Sequence, residues 1–283
     1  MPAVFVVLWS TGFIGAKFGL PYAEPFTFLS LRFVAVIALL GGVAVVMRAP
    51  WPNDRRLVGH LAVSGLLVHG LYLGGVFAAI RDGLPSGLTA LVVGLQPLLT
   101  AVVTGRLLGE VVSRRQWGGL ALGLAGVAMV LSTRLTGLEW GTLPWRALGF
   151  ALVALLGMTA GTLYQKRFCT GMDLRTGAVL QYVAAALVML PLAALTETMR
   201  VEWTGSFIFA LGWLVLVLSV GAISLLMMLI RQGEAARVAS LFYLVPPVTA
   251  LMAWALFDER LSAVGLAGMV LAAAGVALVV SRR

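Results

Sequence analysis

Two stretches of this chain nearly repeat one another, and that duplication constrains the fold more than any other feature. Residues 84–110 read LPSGLTALVVGLQPLLTAVVTGRLLGE, and residues 234–259 read EAARVASLFYLVPPVTALMAWALFDE. Each is long enough to cross a bilayer, because about 20 apolar residues rising about 1.5 Å apiece span the hydrocarbon core. Each also carries proline near its middle, Pro97 in the first and Pro246 with Pro247 in the second. Proline deletes a helical hydrogen bond, so both stretches are expected to bend there. Interrupted helices at matching places in two halves point to a secondary transporter's central site.

Composition agrees with a membrane chain. Of 283 residues 61% are hydrophobic and 11% charged, and the mean hydropathy is +1.02, outside the range of soluble globules. Breaking the apolar runs at their charged or Pro/Gly connectors gives ten spans: 2–20, 26–47, 57–80, 85–106, 115–132, 146–165, 176–196, 206–230, 235–257 and 262–281. With the N-terminus cytoplasmic, thirteen basic residues fall in inner connectors and the tail, and five (Arg81, Arg134, Arg146, Arg200, Arg260) in outer ones. That asymmetry puts both termini in the cytoplasm. The net charge of +9 is therefore a topology signal and not a nucleic-acid patch. A lone cysteine, Cys169, excludes an internal disulfide, and nothing near it has metal-ligand spacing. No cleavable signal peptide is expected ahead of the first span, whose apolar run outlasts a signal's core.

The duplication extends along the whole chain. A shift of 149 places carries Gly12 onto Gly161, Lys17 onto Lys166, Thr27 onto Thr176, Leu31-Arg32-Phe33 onto Leu180-Gln181-Tyr182, and Glu110 onto Glu259. A one-residue slip brings Arg81 and Gly83 onto Arg231 and Gly233. Five spans per half is odd, so the second half enters the membrane from the opposite side: an inverted repeat. The boundaries are a first repeat at 1–133, a linker at 134–144 and a second repeat at 145–283. Ser113 with Gln116 forms a capping box for the fifth span, and Ser262 caps the tenth. Gly119 and Gly123, with Gly268 and Ala272, give the fifth and tenth spans small-residue faces for close helix packing.

The segments GLQPLLTAVVTGRLLGE and YLVPPVTALMAWALFDERLSAVGLAGMVLAAAGVALVVS, with the opening LWSTGFIGAKFGL and FTFLSLRFVAV, resemble the ten-helix EamA-type branch of the drug/metabolite transporter superfamily. The resemblance covers essentially the whole chain. It implies an inner-membrane exporter of amino acids, related metabolites or toxic compounds. It also implies a cavity built mainly by the first, third, fourth, sixth, eighth and ninth helices, with the fifth and tenth at the periphery. Asp258 stands where the family usually has glycine before its second glutamate.

Polar groups at bilayer depth are costly, so each carries a functional hypothesis beside a packing one. His69 and Gln96 fall at the centres of the third and fourth spans and would meet near the midplane if both face inward. Each serves either as a packing residue or as a cargo contact, and His69 is also a candidate proton carrier. Trp9, Tyr72, Tyr164, Phe242 and Tyr243 are candidate cavity aromatics, with Tyr72 sharing a helix face with His69. Ser10, Thr11, Thr159, Ser219 and Ser224 supply hydroxyls that either reach the cavity or satisfy their own helix. Arg32 is expected to anchor by snorkelling or by pairing with Glu24, with anion recognition as the alternative. Lys17 and Lys166 fit surface positions, and Glu110 and Glu259 close their spans as caps or ion-pair partners.

No nucleophile–base set, paired buried carboxylates, P-loop or dinucleotide fingerprint can be assembled, which argues against an enzyme, a metal or a cofactor. The resulting expectation is an all-α membrane protein whose two inverted repeats surround a central cavity. Its function would be alternating-access export of small metabolites, with the bilayer and its cargo as partners, protons in an open role, and a monomeric or weakly dimeric state. A membrane-embedded enzyme or a non-transport assembly subunit is the alternative.

Overall fold

The computed structural model describes residues 2–84, 89, 92–109, 111–132, 145–233, 235–248, 251–252 and 262–280, with backbone alone at 13, 14, 17, 106, 131 and 235. Residues 134–144, Glu110, Asp258, Glu259 and the Lys17 side chain lie outside it. Ten helices make up the described chain: α1 Pro2–Gly19, α2 Pro25–Val46, α3 Arg55–Arg81, α4 Gln96–Leu108, α5 Arg114–Ser132, α6 Trp145–Phe168, α7 Leu174–Thr196, α8 Gly205–Gln232, α9 beginning at Ala235–Ser240, and α10 Ala263–Val280. The one β-type contact among these residues is an isolated bridge between Ala23 and Val201. Six helices, α2, α3, α6, α7, α8 and α10, are long and apolar enough to span a bilayer by themselves. Large apolar side chains stand exposed in mid-helix, among them Leu156, Leu187 and Val270. A face of that kind needs lipid around it.

The connectors sort to two ends. At one, the Glu197 carboxylate after α7 accepts from Phe26 N at 2.8 Å, Thr27 N at 2.7 Å and Thr27 Oγ1 at 2.7 Å. Glu24, which precedes α2, makes no side-chain cap of its own. The orphan N–H groups of α2 are therefore satisfied from the far half of the chain, a cap of a kind worth about 1 kcal/mol. Glu24 instead accepts from Thr198 N and Oγ1, both at 2.7 Å, and lies 3.9 Å from Arg81. The Thr198 hydroxyl is the main reason its carboxyl sits below the usual value. Asp82 pairs with Arg146 at this same end and is lowered in the same direction by that guanidinium.

At the opposite end Thr176 Oγ1 donates to Pro50 O at 2.9 Å, Lys166 Nζ donates to Gly233 O and Arg231 donates to Met172 O. Helix α1 thus runs toward the Glu24 end, whereas α6, which starts beside Asp82 and finishes beside Lys166, runs away from it. The two five-helix repeats are inverted. Their local chemistry repeats too. Asp173 opens α7 by accepting from Arg175 N at 2.9 Å and is held low by the Arg175 guanidinium. Asp54 caps α3 through Arg56 N, and Thr204 caps α8 through Phe207 N. The expected capping box is present, with Ser113 N donating to Gln116 Oε1 at 2.8 Å and Gln116 N to Ser113 Oγ at 3.2 Å. Ser262 Oγ accepts from Gly265 N at 3.0 Å.

Helices α5 and α10 pack against each other backbone to backbone. A Cβ on Gly126 would lie 2.6 Å from Gly268 O, and one on Gly268 would lie 2.7 Å from Gly126 O. The small-residue stripes are consumed inside one molecule. Helices α3 and α8, related by the repeat, each widen into a π-helical segment, Leu66–Leu73 and Leu214–Ala222. Such turns leave backbone groups less regularly paired and recur at functional sites.

Candidate functional site

Helices α1, α2, α3 and α8 enclose a cavity of about 50 Å³ in the half of the bundle nearer Glu24. Room of that order takes a few waters. Its walls are apolar, with Val76, Phe77, Ile80, Leu214, Leu218 and Ile223, interrupted by Trp9, Tyr72 and Arg32. Both π-segments contribute, Tyr72 and Leu73 from one and Leu214 and Leu218 from the other. A smaller cavity of about 10 Å³ lies in the opposite half, between Gln96, Thr162, Lys166, Ile230, Val238, Ala239 and Phe242 of α4, α6, α8 and α9.

Aromatic rings form the wall between the two. Trp9, which lines the first cavity, meets Phe242, which lines the second, edge to face with centroids 5.2 Å apart. Phe5 packs on both, 5.3 Å from Trp9 and 5.4 Å from Phe242, and Tyr72 stacks on Trp9 at 6.3 Å and 20°. Edge-to-face and offset arrangements are the favourable ones for aromatic quadrupoles.

The prolines lie where the helices break. Helix α4 starts anew at Gln96–Pro97, after a turn closed by Leu95 N donating to Val92 O at 3.1 Å. Pro246 and Pro247 follow a 3₁₀ turn at Leu241–Leu244. In both repeats proline heads a new helical segment, where its missing N–H costs nothing. Gln96 Nε2 donates to Thr100 Oγ1 at 3.1 Å and Thr162 Oγ1 at 3.4 Å, while its Oε1 has no protein partner.

Several candidate residues stand elsewhere. His69 does not meet Gln96. It is 0% exposed, stacked on Tyr182 at 4.0 Å and 15° with Phe33 beside it, and it lines neither cavity. The π-segment explains why it parts from Tyr72. Residues three apart in an α-helix differ by roughly 60° around the axis, and the wider i→i+5 turn separates them further. Tyr164 hydrogen-bonds His60 Nδ1 at 2.7 Å near the Lys166 end. Tyr243 is buried against Gly123 of α5, one position round from Phe242. Ser10 donates to Val6 O at 2.7 Å and Val245 O at 3.3 Å, satisfying backbone rather than facing a cavity.

Arg32 departs furthest from expectation. It neither snorkels nor pairs with Glu24. Eight residues farther along α2, or about 12 Å deeper, it is 4% exposed and donates from Nε to Ser219 Oγ at 2.9 Å. Its counterpart Gln181 is also buried, donating from Nε2 to Gln165 Oε1 at 3.3 Å and Ser64 Oγ at 3.4 Å. The equivalence of Arg32 and Gln181 in the two repeats was the signal in the sequence for a buried polar layer at this depth.

A profile of the EamA-like transporter family matches residues 3–132 and 145–281, nearly the whole of both repeats. The chain belongs to that family. It is 29% identical over 257 residues to the "Uncharacterized inner membrane transporter YedA" of Escherichia coli (strain K12), covering 90% of this chain and 81% of that one. It is 27% identical over 280 residues to the "Probable amino-acid metabolite efflux pump" of the same organism, covering 95% and 90%. One solved crystal structure superposes with a TM-score of 0.81 over 99% of this chain and 94% of its own, at 21% identity, a likeness of fold. This EamA-family chain is a membrane transporter, and the family and relatives' names speak of transport rather than catalysis. Its larger cavity draws on α2 through Arg32, a helix not expected to line the path.

Proposed function

We propose that this EamA-family protein exports small metabolites, amino acids or similar amphipathic molecules, by alternating access across a bacterial inner membrane with both termini cytoplasmic. One observation carries the reading: two cavities toward opposite ends of the bundle, each lined by helices from both inverted repeats, divided by the Trp9–Phe242 contact. A carrier needs a site reachable from either end but never from both, and an aromatic partition between facing half-sites suits that requirement. Trp9 and Tyr72 would meet cargo on one side of the partition and Gln96 and Phe242 on the other, with Ser219 acting through Arg32. The breaks headed by Pro97 and by Pro246 with Pro247 would serve as pivots, rocking residues 1–133 against 145–283 about the linker 134–144.

The amino-acid class and the outward direction draw on the efflux pump to which the chain is similar, and the cytoplasmic termini on the distribution of basic residues. A monomer suits the internal α5–α10 pairing, since that glycine face is already used. In proteoliposomes preloaded with one amino acid, the purified protein is expected to give saturable counterflow of the labelled compound for at least one apolar member of the set. Flux no greater than in protein-free vesicles for every amino acid would contradict the reading. Repeating the assay with and without a pH gradient separates proton antiport from facilitated exchange.

A further inference from the structure

We infer that Arg32 is the docking point for a carboxylate, and that the cargo class is small monocarboxylates with an apolar tail, whether or not they carry an amino group. This rests on the reading that the larger cavity receives cargo. A guanidinium at 4% exposure within a bilayer-spanning helix is a costly group to bury, and buried charges are ordinarily paired. Among the described residues the ion pairs are Arg81–Glu24, Arg146–Asp82 and Arg175–Asp173, all at connectors, and none involves Arg32. Its protein neighbours are neutral hydroxyls, Ser219 Oγ on the π-segment of α8, bound through Nε, with the Tyr182 phenol beside the guanidinium. That bond fixes the plane of the fork, and Arg32 is part of the cavity wall. A planar fork with one edge held matches a carboxylate's two oxygens, and one cation suits a monoanion.

The rest of the lining narrows the class. Leucine, valine, isoleucine and phenylalanine side chains make up most of it, with Trp9 and Tyr72 adding aromatic faces. No acidic side chain is among them, so no ion-pair partner for an ammonium group is described there. The carboxylate is the anchor, the tail is received by apolar walls once the cavity widens beyond its present volume of about 50 Å³, and the amine is dispensable.

The test uses the full-length purified protein and three isosteric probes: L-leucine, its 2-oxo acid analogue (4-methyl-2-oxopentanoate) and L-leucinamide. Binding is read as the concentration dependence of the unfolding temperature, which requires no flux. Leucine and the oxo acid are expected to stabilise the wild type at concentrations about 10- to 100-fold lower than leucinamide, the spread that a charge-assisted hydrogen-bond pair supports. Arg32→Met should abolish the difference, and Arg32→Lys should keep part of it. The comparison among probes in the wild type stands even if a variant fails to fold. Leucinamide binding as tightly as the acids, or no stabilisation by either acid at 10 mM, overturns the proposal. Stabilisation by the acids without counterflow leaves Arg32 as a carboxylate site and removes the transport reading. Counterflow that makes no distinction between acid and amide does the reverse.

Discussion

Replacing Gly126 with leucine is expected to cost this protein most of its thermal stability, more than any single change to a cavity residue. At this position α5 and α10 touch through their backbones, and a Cβ would already stand 2.6 Å from Gly268 O and 2.9 Å from Ala272 Cα. Neither neighbour is the end of a flexible side chain, so the helices must separate. Overpacking costs about 1–3 kcal/mol even where side chains can shift, and here the rigid backbone pushes the effect to the top of that range or beyond. Gly118, on the same helix, has nothing within 4 Å of its Cβ direction and is exposed, so Gly118→Leu should be close to neutral. Unfolding temperature and the monodisperse yield in detergent distinguish the two. Equal losses would mean that the glycine face is not what joins the helices.

The second large effect is expected on transport rather than folding. Phe242→Ala removes the ring that faces both Phe5 and Trp9 and joins the two cavities. Vesicles preloaded with labelled cargo should then lose it without exchange, so that leak replaces counterflow. Phe→Ala at a well-packed site costs about 3–5 kcal/mol, but Phe242 is half-buried, and the variant should be damaged less than that figure implies. Phe242→Leu, which keeps bulk, should leave the vesicles tight. Unchanged counterflow in Phe242→Ala would show that the aromatic contact is no barrier.

Much of this architecture was legible because the chain says it twice. The shift of 149 places puts Thr27 in register with Thr176, and the two bond Glu197 and the Pro50 carbonyl at opposite ends of the bundle. The capping box at Ser113–Gln116 and the close-packing faces of α5 and α10 could also be read locally, since a cap needs only a spacing and close approach needs only small residues, but glycine spacing does not name the partner helix. What faces inward was harder to read. In a membrane bundle apolar side chains cover the lipid side as well as the core, so helical periodicity does not mark the inner face. That is why Tyr164, Tyr243 and Ser10 were grouped with Trp9 and Tyr72, although the first three pack against His60, Gly123 and the Val6 carbonyl. The π-segments carry no compositional mark at all. Their extra width turns His69 toward Tyr182 and leaves Tyr72 on the cavity, which spacing on an α-helix could not anticipate. Of the two readings of Arg32, the anchor fails because proximity in sequence to Glu24 suggests a pair, whereas the helix rise carries the two about 12 Å apart; the alternative, anion recognition, stands open.

Side-specific accessibility tests the central idea most directly. On a Cys169→Ser background, single cysteines at Val76, in the cavity nearer Glu24, and at Ala239, in the cavity nearer Lys166, are exposed in oriented vesicles to a small membrane-impermeant thiol reagent. Val76→Cys should react from the outer face only and Ala239→Cys from the inner face only, and a cargo gradient should raise one rate as it lowers the other. If both cysteines react from the same face, or both rates rise together, the two cavities belong to one continuous path and alternation across Trp9 and Phe242 is wrong.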